Sequence, residues 1–170
     1  MSSYVFDQVK LFAIKGELQL EMPMDGMYIV ALLDATILNT PSFSKKTKWD
    51  EISQYEIPVS SNPGYILGGK EITGVGSSTY IDNGTNTGDD NHNDIIVYAD
   101  NVVFNSSHIT ASCAVIMKYP SLGAMSTRSN TDLDLIAALD LRNGVTPVTS
   151  SNGAFRLLFE ESSGGFLKIK

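Results

Sequence analysis

Short apolar runs separated by clusters of Gly, Asn, Asp and Ser dominate this chain from residue 58 onward. That rhythm predicts short strands in antiparallel pairing, as in a sandwich or barrel. Strands are expected over residues 66–73, 95–98, 101–104, 108–119, 133–140, 154–160 and 166–170. Asn143-Gly144 and Asn152-Gly153 mark tight turns, because these residue types tolerate positive φ. Ser163-Gly164-Gly165 is expected to join the last two strands as a hairpin. Before residue 58 the pattern differs. Residues 27–33, MYIVALL, form a continuous apolar run bounded by Asp25-Gly26 and Asp34, which predicts a strand buried on both faces. Tyr4, Val5, Phe6, Val9 and the run 11–14 make a broad apolar face. Asp7, Gln8, Lys10 and Lys15 interrupt it, predicting a helix over about 3–15 with Ser2 or Ser3 at its start and Gly16 at its end. A short helix is expected near residues 48–54, beside Trp49. Polar stretches 74–94 and 121–130 read as mobile surface loops. The expectation is one mainly β domain over residues 1–170: an antiparallel, jelly-roll-like β-sandwich with a short N-terminal helix.

Composition narrows the partners. The chain has 170 residues, enough for a substantial core, and its hydrophobic content of 42% fits a globular domain. Its net charge is −7, and the only basic cluster is Lys45-Lys46-Thr47-Lys48, so a nucleic acid partner is not expected. No apolar stretch reaches the ~20 residues that span a bilayer, so no membrane partner is expected either. A signal-like start is missing, which predicts synthesis or assembly in a reducing cytosol. Cys113, alone in the apolar run 111–117, reads as a small buried hydrophobe.

Candidate chemistry is sparse. Residues 64–70, GYILGGK, match G-x-x-x-x-G-K, the phosphate-binding loop. Glu71 stands where Ser or Thr should ligate magnesium. Pro58 and Pro63 spoil the strand that should enter the loop, and Gly74 and Gly76 the helix that should leave it. The segment is therefore expected to be a turn at Asn62-Pro63-Gly64 followed by a strand with a bulge or close-packed point at Gly68-Gly69. Asp89, Asn91 and Asn93 echo half of a calcium loop, but Asp94 replaces its glycine and Asp100 its closing Glu. A solvated loop is the expected reading. Asp132 and Asp134 alternate as paired carboxylates can in a glycosidase, or as the wet side of a strand. His92 and His108 belong to no hydrolase or metal motif. Asn83 and Asn105 match the glycosylation pattern. No catalytic, cofactor-binding or metal-ligating residue is expected.

The order of several motifs carries a resemblance. They are VALLDA at 30–35, Trp49-Asp50-Glu51-Ile52, Tyr55-Glu56-Ile57 and the pairs Gly64-Tyr65 and Gly68-Gly69. A block then runs from Asn101-Val102-Val103-Phe104 through His108-Ile109-Thr110-Ala111 to Ala114-Val115-Ile116. The chain closes on LIAALD at 135–140, SNGAF at 151–155 and GFLKI at 165–169. This order resembles small virion structural proteins of tailed bacteriophages, found among head and neck genes, and covers nearly the whole chain. Residues 82–94 depart from it as an Asn/Asp/Gly-rich insertion. The resemblance brings no catalytic residues and no cofactor. It implies a non-enzymatic, multi-copy virion component assembled in the host bacterial cytoplasm, self-associating or bound to other virion proteins. A capsid decoration or cement protein on the major capsid protein is the first expectation, with residues 4–14 and edge strands as contacts. A neck or tail component, or a carbohydrate- or receptor-binding module using loop 82–94, is the alternative. A hydrolase is disfavoured.

Overall fold

Antiparallel pairing organises the chain, as the apolar rhythm predicts. The computed structural model describes residues 3–9, 28–40, 42–81, 93–119, 132–159 and 167–169. Within them lie β1 (Ser3–Val5), β2 (Tyr28–Leu33), β3 (Lys70–Ile72), β4 (Gly76–Ile81), β5 (Asn93–Tyr98) and β6 (Val102–Ser107). Then follow β7 (Thr110–Ala111), β8 (Cys113–Lys118), β9 (Asp134–Asp140), β10 (Val148–Thr149), β11 (Gly153–Leu157) and β12 (Leu167–Ile169). The largest sheet has the order β1-β9-β8-β2-β3, all antiparallel. Smaller sheets pair β10 with β7 and β11 with β6, and a third places β5 between β12 and β4. Buried residues from every sheet join one hydrophobic cluster, with Val97, Phe104, Ala111 and Phe155 among them. Among the described residues no helix is long and apolar enough to cross a membrane.

The centre of the large sheet is apolar on both faces. Every residue of β2 is buried, as its unbroken run YIVALL requires, and β8 buries Cys113–Met117 beside it. Asp34 ends β2 by accepting the Thr36 N–H at 2.7 Å and opening the 3₁₀ turn Ala35–Asn39.

Both flanks of this centre need partners for their backbone groups. Beside β9, Ser3–Val5 covers Ala137–Leu139. Further along, Trp49 N–H donates to Leu133 O and Leu135 N–H to Thr47 O. On the other flank β3 covers Tyr28–Val30. Beyond it, Ile57 N–H donates to Leu32 O, and Leu32 N–H donates to the Tyr65 hydroxyl at 3.1 Å. A tyrosine side chain thus completes a sheet edge that backbone leaves open.

Several sequence expectations change. Residues 3–5 form an edge strand; helical backbone begins only at Asp7 and is described to Val9, residues 10–15 lying outside the described part. Ser3 is therefore no cap. Phe6 and Val9 are spent in the core, Phe6 edge-on to Phe43 at 5.3 Å, so these two side chains are not free for contact; residues 10–14 of the expected contact segment lie outside the described part. The 66–73 strand is shorter, because residues 66–69 form a turn ahead of β3. Residues 76–81 of the expected loop are β4, paired with β5; residues 82–92 lie outside the described part. The 108–119 strand breaks at Ser112, whose N–H donates to Leu33 O and whose carbonyl accepts from Leu141. The last two strands form no hairpin: β11 pairs with β6 and β12 with β5. Near Trp49, two 3₁₀ turns, Trp49–Glu51 and Ser53–Tyr55, replace one short helix.

Candidate functional site: a clamped apolar turn

Residues 56–70 cover the edge of β2 with hardly any regular structure, so their conformation rests on side-chain contacts. Asn62-Pro63-Gly64 is a turn, as expected: Tyr65 N–H donates to Asn62 O at 3.0 Å, and Gly64 has φ of 91°. The Asn62 side chain is buried; its amide nitrogen donates to Pro58 O, and its amide oxygen accepts Thr110 N–H. Any Cβ on Gly64 would stand 2.8 Å from Ser107 Cα, so this turn is seated against the end of β6. From there Tyr65 points inward, 4% exposed, with its ring 5.6 Å from Phe104.

The Tyr65 hydroxyl is a relay. It accepts from Leu32 N–H and donates to Glu56 Oε1 at 2.6 Å. The same oxygen accepts Gly68 N–H at 2.7 Å. Burial raises the Glu56 pKa above its ordinary value, and the hydrogen bonds from Tyr65 and Gly68 oppose that rise. Burial, then the bond to Glu56, pushes the Tyr65 phenol far up, so it remains a donor.

One carboxylate oxygen therefore pins both ends of the intervening dipeptide. Gly69 N–H closes the turn on Ile66 O at 3.0 Å, with Gly68 at φ 84° and Gly69 at φ 87°. A Cβ on Gly69 would lie 2.4 Å from Val30 O, which explains the second glycine as a backbone approach to β2. Outward, the turn presents Ile66 at 56% exposure and Leu67 at 69%. Two large apolar side chains are held in water by a rigid support.

Lys70 closes the segment: its ammonium donates to Val103 O at 2.7 Å and lies over the Phe104 ring. GYILGGK is thus two backbone approaches, a buried relay and a buttress. Strand β3 follows it, where a phosphate loop needs a helix. The close-packed point at Gly69 is as expected, but it falls in a turn, not within a strand.

The other candidates scatter. Asp134 pairs with Lys48 at 2.9 Å, while Asp132 is exposed and offers only its carbonyl to the same ammonium. His108 is exposed, its N–H donating to Pro63 O. Cys113 is fully buried, its thiol pushed up to about 12, chiefly by burial, so it is not a thiolate near neutrality. Asn105 is exposed on β6, and Asn93 begins β5. Asn83, Asp89, Asn91 and His92 lie outside the described residues. Among the described residues no group of three His, Cys, Asp or Glu side chains converges as a metal site would need.

Sequence reading missed the Glu56–Tyr65–Gly68 relay. The signal available was thin: a Glu and a Tyr nine residues apart, with prolines and glycines between them. Comparison of the chain with protein-family models, with curated proteins and with solved structures returns no match.

Proposed function

We propose that this chain is a non-enzymatic structural protein of a tailed-bacteriophage virion. Within that role we place it on the head, as a decoration protein seated on the major capsid protein, with its antiparallel sheets forming a jelly-roll-like sandwich. The observation that carries the reading is the clamped turn: Ile66 and Leu67 stand exposed on a support that Glu56, Tyr65 and Gly68 hold rigid. Apolar side chains ordered before contact lose little entropy on docking, which suits a protein whose work is to bind. The motif order that resembles phage virion proteins runs through this turn, since Gly64-Tyr65 and Gly68-Gly69 are among its marks.

A stable contact needs ~800 Å² from each partner, far more than two side chains supply. The turn acts as an anchor within a wider face, and repetition over a particle multiplies a modest affinity. Quantitative mass spectrometry of purified virions tests the role. A copy number matching the capsid lattice, lost in the Ile66→Asp/Leu67→Asp double variant while the isolated variant stays folded by circular dichroism, supports it. Absence of the chain from virions, or undiminished incorporation of the double variant, refutes it.

A further inference from the structure

An open groove of about 480 Å³ lies beside the turn, between β3 and the stretch leading into β6. Ile66, Lys70, Glu71, Thr73, Asp100 and Val102 help to line it. Its walls differ in character. Ile66 and Val102 give an apolar floor, the former continuous with the exposed tip of the turn.

Two carboxylates give the polar side. Glu71 is exposed, and its side chain has neither a hydrogen-bond nor an ion-pair partner among the described residues. Asp100 is fixed in place: one oxygen accepts the Thr73 hydroxyl at 2.8 Å, its backbone N–H donates to Thr73 O at 2.9 Å, and Gly74 fits directly against the carboxylate. The groove's cation, Lys70, already has partners in Val103 O and the Phe104 ring.

We infer that this groove receives a lysine or arginine side chain of a protein partner. A long aliphatic stem matches Ile66 and Val102, and a cationic head matches Glu71 and the second oxygen of Asp100. The chain's net charge of −7 favours approach of such a group. The inference rests on the turn being a docking surface and adds the partner's chemistry: a basic side chain flanked by apolar ones.

A titration of the isolated, full-length protein tests the groove separately from any role in a particle. The probes are a capped Leu-Arg-Leu tripeptide, its norleucine analogue and its glutamate analogue, read by amide chemical shifts at low salt. Saturable shifts centred on Glu71, Thr73, Asp100 and Asn101 are expected for the arginine peptide, weakening with added salt. Roughly tenfold weaker binding is expected for the norleucine peptide and for Glu71→Gln with arginine. Absent saturation, shifts centred elsewhere, equal affinity for norleucine, or binding unaltered by Glu71→Gln each overturn it. Failure here with intact incorporation into virions removes the groove and leaves the turn's docking role standing.

Discussion

The central strands β2, β8 and β9 and the segment 56–70 touch each other, yet they reach their shapes by opposite means. The strands are nearly all apolar, and their register follows from backbone ladders that any buried residue of suitable size supports. The segment has exposed apolar tips, glycines that no other residue replaces, and one buried oxygen serving two donors. Tolerance to substitution should therefore differ in kind. In the sheet the cost of a change should scale with volume lost. In the segment it should depend on which atom is touched.

The largest effect expected is in the sheet. Leu32→Ala removes a fully buried side chain from β2 and should destabilise by about 4 kcal/mol, lowering the midpoint of thermal unfolding by roughly 8–16 °C. Leu32→Met should cost less than about 1.5 kcal/mol, since volume is kept. If both cost the same in calorimetry, volume is not what sets the sheet.

Gly69→Ala comes next, at about 3 kcal/mol, from a left-handed backbone together with a Cβ forced against Val30 O. Gly144→Ala shares the positive φ but meets nothing within 4 Å, and should cost about 1 kcal/mol. Denaturant unfolding of the pair separates backbone strain from collision; equal costs would mean that the approach to β2 has no weight.

Tyr65→Phe keeps the ring and removes one oxygen. It leaves Leu32 N–H without its acceptor and Glu56 without one donor, and should cost about 2 kcal/mol by the same measurement. Hydrogen exchange should show the Leu32 amide losing protection ahead of Val30.

The smallest effects concern two glutamates five positions apart with opposite titration. Glu51 accepts from Thr47 N–H, Thr47 Oγ and Lys48 N–H, which hold its pKa down at about 2. Its contribution is present above the ordinary carboxylate value of 4.5 and is lost as pH falls toward about 2. Glu56 has the reverse sign. Its raised pKa means the folded state holds the proton more tightly, so stability from this group falls as pH rises from the ordinary value through the folded one. Glu51→Gln should flatten the acid limb of a stability–pH curve. Glu56→Gln should change stability by less than about 1 kcal/mol at neutral pH and remove the decline above the ordinary value. Parallel curves for the two variants would contradict these opposite environments.

The same contrast explains what could be read in advance. Strand β2 was legible because a run bounded by turn residues reports burial on both faces; β8 and β9 were legible as strands because their apolar runs alternate with Gly, Asn, Asp and Ser clusters. Asn62-Pro63-Gly64 and Asn143-Gly144 were legible as turns because φ preference is local; Asn143 and Thr146 do exchange backbone hydrogen bonds around Gly144. Strand β4 was not, since GSSTYI has loop composition and becomes a strand only by pairing with β5. Nor was β1, whose apolar residues fit a helical face until Leu139, Ala138 and Ala137 are brought beside it. The Glu56 relay depends on β2 lying under Tyr65, which no local pattern encodes. The groove joins residues near 70 to residues near 100, and Glu71, its side chain unpartnered among the described residues, becomes visible as part of it only once the fold brings these stretches together.

The order β1-β9-β8-β2-β3 also sets a timetable. Strand β2 leaves the ribosome before β8, so Leu33 must wait for Cys113 and its neighbours before its ladder with them can form. At ordinary synthesis rates that interval is roughly 4–16 s. Until a partner is made, YIVALL is an unpaired apolar strand, the kind of segment that sticks to its own copies. Yield should therefore respond to translation speed and chaperone supply through this one strand, with Lys70–Ile72, the earlier of its two partners to be made, as its first shelter.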